Sequence, residues 1–230
     1  MTFALILVIT AVASYALADV VRKVPWLFYL LAVAAVAVLF AGVYGLVEGA
    51  WWKPLILLVR RCMVALALFT VVMFIGVLPR DSRLGMRMRG ARAELSIIAC
   101  ILCMGHMCMY LVPYAQRALS GTMQTNIMLS FAVAMVLFVL LLVLGVTSFH
   151  FVKRRMKTAT WKRIQRLAYP FFLLTYAHLV FMLAPSALGG GSAAVVGVAV
   201  YTVVFVAYAV LRLVRYAKDR RETAVVEAVS

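Results

Sequence analysis

Seven apolar runs alternate with short polar connections along this chain: residues 2–18, 26–47, 62–78, 95–112, 127–149, 167–183 and 193–211. A membrane crossing needs about 20 mostly apolar residues, and each run approaches or reaches that length. The pattern predicts an all-α integral membrane protein, a bundle of seven transmembrane helices. The first run ends in Ala-Leu-Ala-Asp, a sequence that mimics a signal-peptide cleavage site. No basic residue precedes the run, so it reads as a span. Pro25 opens the second run, and Trp51 and Trp52 stand in the turn that follows it, as suits a membrane–water interface. Residues 54–61 are apolar and then basic, and are expected to lie partly in that interface. Pro79 stops the third run and Pro113 closes the fourth. Pro170 sits in the first turn of the sixth, where a missing N–H costs least.

Composition agrees with the pattern. Of 230 residues, 67 % are hydrophobic and 13 % charged, a ratio that cannot cover the surface of a soluble domain. Once the spans are removed, no stretch remains for a nucleotide-binding domain, and no Gly-rich phosphate loop follows a strand pattern.

Charge gives the bundle a direction. The net charge of +16 would point to nucleic acid in a soluble protein. Here the basic residues fall between apolar runs, so nucleic-acid binding is not expected. The connections after the first, third, fifth and seventh runs hold 19 of the 23 Lys and Arg residues, and the other three hold 4. The loop after the third run alone contains Arg80, Arg83, Arg87, Arg89 and Arg92. By the positive-inside rule the N-terminus lies outside and the C-terminus in the cytoplasm.

Only two histidines lie within apolar runs, His106 and His178. Both runs leave a basic cytoplasmic boundary and travel outward. His106 stands 14 residues after Arg92, and His178 stands 12 after Arg166. At ~1.5 Å per residue both lie roughly 18–21 Å beyond that boundary, at similar depth in the outer half of the bilayer. A buried imidazole needs a partner. A hydrogen bond to a neighbouring helix would serve. A proton relay would lack an intramembrane carboxylate, since Glu48 and Glu94 stand at span ends. A b-type haem clamped between two helices would use both rings, one on each face of the iron. Gly105 and Ala177, beside the histidines, would leave room for a flat macrocycle. A retinal receptor would require a buried Lys in the seventh run, which has none.

Cys62, Cys100, Cys103 and Cys108 all lie in apolar runs and read as small packing residues. Cys100 and Cys103 are spaced C-x-x-C, but His106 does not follow directly, so the covalent c-type haem signature is missing. Met104, Met107 and Met109 crowd His106 and read as filler rather than as axial ligands.

The segments RMRGARAELSIIACILCMGHMCMYL, LGVTSFHFVKRRM and WKRIQRLAY followed by AHLVF resemble the ferric reductase-like transmembrane domain family. Within it they are most similar to the haem-binding membrane subunit of the bacterial periplasmic methionine sulfoxide reductase system, the MsrQ/YedZ-like group. The resemblance covers roughly residues 60–185. It implies a haem-binding four-helix core over 60–185, preceded by two helices and an interfacial segment (1–59) and followed by a last helix and a basic tail (186–230). It aligns His106 and His178 with haem-ligand histidines. The family's further histidine, near the start of the sixth span, is Gln165 here. An amide is a poor haem ligand, so one haem b is expected. His150, near the inner boundary, is a weaker candidate to substitute. Trp161 and Arg166 are candidate anchors at the inner interface, and Tyr110, Tyr114 and Arg117 are candidates to meet haem propionates at the outer one.

The implied function is a membrane b-type cytochrome of the bacterial inner membrane, the electron-transfer subunit of an oxidoreductase system. Its donor would be a quinol or a cytosolic flavin protein, and its acceptor an extracytoplasmic reductase. The alternative is a haem-free scaffold or small transporter that retains the fold. A transporter would want a polar path, and the spans offer little beyond Thr70, Ser96, Ser130 and Thr175.

Overall fold

The computed structural model describes residues 3–79 and 81–229, with side chains at all of them except Leu57 and 222–229. Arg80, counted above among the loop charges, lies outside the described residues. Ten α-helices and one π-helical turn follow in order: α1 (Phe3–Lys23), α2 (Pro25–Val43), the π turn (Ile56–Arg60), α3 (Met63–Ile75), α4 (Arg83–Gly90), α5 (Arg92–Leu119), α6 (Thr125–Ser148), α7 (His150–Arg155), α8 (Thr158–Gln165), α9 (Ala168–Leu188) and α10 (Ser192–Val229). Among the described residues, six helical stretches are long and apolar enough to cross a membrane: α1, α2, α5, α6, α8 with α9, and α10 up to Arg221.

The third apolar run is different. Its helix, α3, has only 13 residues, about 20 Å of rise against a hydrocarbon core of about 30 Å. It is also the most enclosed helix: Ala65, Leu66, Ala67, Leu68, Thr70, Val71, Val72, Met73 and Ile75 are all buried. Protein rather than lipid surrounds α3, so its length is set by its neighbours. One side packs with α1, α2 and α5 through Ala18, Leu39, Leu68 and Leu95. The other side meets α9 and α10 through Leu66, Ala67, Phe172 and Phe205. A third cluster joins α6 to α9 through Leu137, Leu141 and Phe171.

Close approaches fix these pairings. A Cβ on Gly145 of α6 would lie 2.4 Å from Cys100 Sγ of α5, and one on Gly105 would lie 2.8 Å from Val36 Cγ2 of α2. α1 is part of the bundle: the Phe3 ring lies 4.8 Å from that of Tyr201, and Arg87 of α4 bonds Asp19 at 2.9 Å.

One proline expectation changes. The helix does not close at Pro113 but continues to Leu119; α9 likewise runs through Pro185 to Leu188. A proline costs one backbone hydrogen bond, and membrane helices tolerate this where neighbouring groups re-satisfy the backbone. The sixth run begins with a break: α8 ends at Gln165, and α9 starts at Ala168.

Candidate functional site

A cavity of about 860 Å³ opens between the π turn, α5, α6, α9 and α10. His106 and His178 both line it. Its walls are mostly apolar, with Met107, Leu111, Ala134, Met135 and Leu179 among them. The volume lies within the range of about 300–1,000 Å³ typical of cofactor and ligand pockets.

Each histidine is oriented by its Nδ1. His106 Nδ1 lies 2.6 Å from the backbone carbonyl of Arg60. A carbonyl only accepts, so Nδ1 carries the proton and Nε2 keeps a free lone pair. That carbonyl is available because of the local backbone. Cys62 takes a left-handed conformation, φ 57°, which ends the π turn and starts α3 in a new direction. Arg60 O therefore has no helical continuation to bond to. His178 Nδ1 has two acceptors on α6, Ser130 Oγ at 2.9 Å and Ser130 O at 3.1 Å. The Ser130 hydroxyl in turn donates to the His178 carbonyl at 3.3 Å. Ser130 is 1 % exposed, a buried hydroxyl well inside a mostly apolar helix. Fixing Nδ1 on a carbonyl or hydroxyl is the usual way a metal-ligating histidine is held in tautomer and orientation.

Positive charge meets the cavity beside His106. Arg60 and Arg61 line it, and Arg60 Nε is buried with no hydrogen-bond partner among the described residues. The Arg60 guanidinium lies 5.7 Å from the centroid of the Tyr110 ring. Tyr110 is 5.0 Å from His106 and 5.7 Å from Tyr114, ring to ring. The residues present fit a haem in kind: two imidazoles whose Nδ1 atoms are held by the protein, an apolar space of cofactor size, and an Arg60 Nε without a hydrogen-bond partner among the described residues and suited to a carboxylate.

The remaining sequence candidates lie elsewhere. His150 Nε2 bonds the nearly buried Glu94 at 3.1 Å, and its own side chain is 61 % exposed. Gln165 Nε2 donates to Thr147 Oγ1 at 3.0 Å, and Trp161 Nε1 donates to Thr147 O at 3.0 Å. Arg166 is exposed between α8 and α9. None of these four lines the cavity. Tyr110 and Tyr114 do line it, whereas Arg117 does not and lies over the Tyr114 ring at 5.9 Å.

Gly105 is corrected by the structure. It faces Val36 of α2, away from the cavity, and makes room for a helix rather than for a macrocycle; Ala177 does not line the cavity either. Sequence reasoning missed Arg60, Arg61 and the pairing role of Ser130. The signal for Ser130 was its isolation in an apolar run. No periodicity pointed to Arg60, because the π turn follows neither helical nor strand spacing. Met107 lines the cavity, while Met104 and Met109 pack in the core.

Residues 61–176 match the family described as the ferric reductase like transmembrane component. An uncharacterized protein of Treponema pallidum (strain Nichols) is 47 % identical over 160 residues. The match covers 69 % of this chain and 44 % of that relative, so the chain spans less than half of the relative's length. No solved structure matches.

Proposed function

Because the chain belongs to the ferric reductase-like transmembrane component family, we propose that it is a membrane b-type cytochrome of the bacterial inner membrane, carrying electrons through one bis-histidine haem. The observation that carries this reading is the pair of imidazoles across one cavity, each with Nδ1 on an acceptor of the protein. His106 Nε2 and His178 Nε2 are the iron ligands. Arg60 and Arg61 neutralise the carboxylate edge, and Tyr110 backs the Arg60 guanidinium. Haem b, when bound, supplies one-electron ferric–ferrous chemistry. The protein holds the ligand tautomers fixed and keeps the apolar walls dry, so little rearrangement accompanies a change of charge. The occupation of Gln165 by Thr147, and of His150 by Glu94, supports a single haem.

The donor is a quinol in the bilayer or a reduced flavin protein at the basic end. The acceptor lies on the other side, an extracytoplasmic reductase of the kind implied by the resemblance to the MsrQ/YedZ-like group. The experiment is a dithionite-reduced minus oxidised spectrum of the detergent-purified protein, expressed with haem supplied. A b-type α-band is expected at one haem per chain. His106→Ala and His178→Ala each abolish it, and His150→Ala keeps it. A protein without the band would be the haem-free scaffold or transporter instead.

A further inference from the structure

At the other end of α5, where the basic connections gather, a second cavity of about 240 Å³ lies between the C-terminal end of α3, α4, the start of α5, α9 and α10. Four guanidinium groups line it: Arg89 of α4, Arg92 of α5, and Arg212 and Arg215 of α10. Basic residues at membrane-helix ends ordinarily spread into water, where like charges separate. Here two regions distant in sequence, the α4–α5 junction and α10, bring four of them to one small cavity. Its only carboxylate among the described lining residues is Asp219, which already bonds Arg215 Nε at 3.1 Å. Among the described lining residues, four guanidinium groups face one carboxylate.

Neighbouring groups hold three of these arginines in place. Arg89 Nη2 donates to the Leu78 carbonyl just past α3. Arg212 lies over the Tyr169 ring at 5.2 Å. The Arg215 side chain is 14 % exposed. Tyr208, also in the wall, is backed by Phe172 at 5.0 Å and Phe74 at 5.6 Å. Guanidinium forks around a small cavity suit a phosphate group, whose oxygens accept paired N–H bonds.

We infer that this cavity is a binding site for a phosphate-bearing anion. Two sources share that chemistry. One is the headgroup of an anionic phospholipid, which basic pockets between helix ends hold at the membrane surface. The other is a soluble phosphate. The site is independent of the histidine cavity, so its test does not depend on haem.

The test is thermal unfolding of the delipidated, detergent-purified full chain. It is titrated with phosphatidylglycerol against phosphatidylcholine and, separately, with inorganic phosphate against chloride at equal ionic strength. An anionic ligand is expected to raise the melting temperature. Arg92→Gln combined with Arg212→Gln weakens the response on the order of a hundredfold in ligand concentration, the loss of two charge-assisted contacts. Lys162→Gln combined with Arg163→Gln removes the same charge outside the cavity and leaves the response as in the wild type. A response to phosphatidylglycerol alone identifies the lipid source, and a response to inorganic phosphate identifies the soluble one. No response to either, or equal loss in both double variants, overturns the site. Should the Gln pair not fold, Arg92→Lys with Arg212→Lys keeps the charge and loses the fork. It then weakens binding by about tenfold, and an unchanged response overturns the proposal.

Discussion

His106 and His178 reach the same orientation by different means. His106 depends on a backbone carbonyl, which no substitution of Arg60 removes. His178 depends partly on a side chain, the Ser130 hydroxyl, with the Ser130 carbonyl as a second acceptor. The two proposed ligands therefore differ in sensitivity. Ser130→Ala leaves His178 one acceptor of its two and also frees the His178 carbonyl. It is expected to keep the b-type spectrum and to weaken haem retention by about tenfold, the lower end of the usual effect of such supporting groups. Haem transfer to an apo-globin acceptor measures this, and wild-type retention in Ser130→Ala would remove the hydroxyl from the site. That these two histidines share one cavity was legible from sequence, because an ionisable side chain inside an apolar run stands out. The Arg60 carbonyl was not, because it depends on Cys62 taking a left-handed conformation that a non-glycine residue rarely adopts.

Among the elements, α5 carries the most constraints. Its glycine at 105 admits α2, and its Cys100 fills the place opened by Gly145 of α6. Sequence reading assigned Gly105 to the cofactor because it is adjacent to His106. On a helix, adjacent residues point about 100° apart, so adjacency alone does not decide which face a residue shares. Gly105 and Met107 flank His106 on opposite sides, and Met107 reaches the cavity while Gly105 faces α2. The α5–α6 contact sets how far His106 stands from the helix that orients His178, and one substitution cycle tests it. Gly145→Ala places a Cβ 2.4 Å from Cys100 Sγ and is expected to destabilise by about 1–3 kcal/mol through overpacking. Cys100→Ala removes the sulfur and leaves Cβ 3.6 Å from the new methyl, an ordinary contact. The double variant is expected to recover most of the loss, a favourable coupling of about 1 kcal/mol or more. Thermal melting of the four proteins reads the cycle, and additive losses would mean that the helices do not meet there.

For the whole molecule, the question is which way the bundle stands and whether α3 crosses. The six long helices alone would return the chain to the side on which it began. The contacts supply a direction for α3. Its C-terminal end lies by Arg89, which bonds Leu78 O, and that end shares a cavity with Arg92, Arg212 and Arg215. Arg87 joins the end of α1 there, and Glu94 joins His150 of α7, so all four basic connections gather at one end of the bundle. The other end holds Arg60 beside Tyr110 and Arg117 beside Tyr114. The segment from the π turn through α3 thus runs from the sparsely charged end to the basic one, although α3 itself is too short to span lipid unaided. Burial among α1, α5 and α10 relieves it of that requirement, because irregular backbone is tolerated at membrane depth where protein covers it. On these grounds we propose seven crossings, with the basic end in the cytoplasm. A fluorescent protein fused at the C-terminus is then expected to fluoresce, and an N-terminal epitope tag to be cut by protease added to intact spheroplasts. Protection of the tag together with C-terminal fluorescence would put both ends inside. The π turn and α3 would then form a re-entrant segment, and the charge asymmetry of the connections would have to be assigned anew.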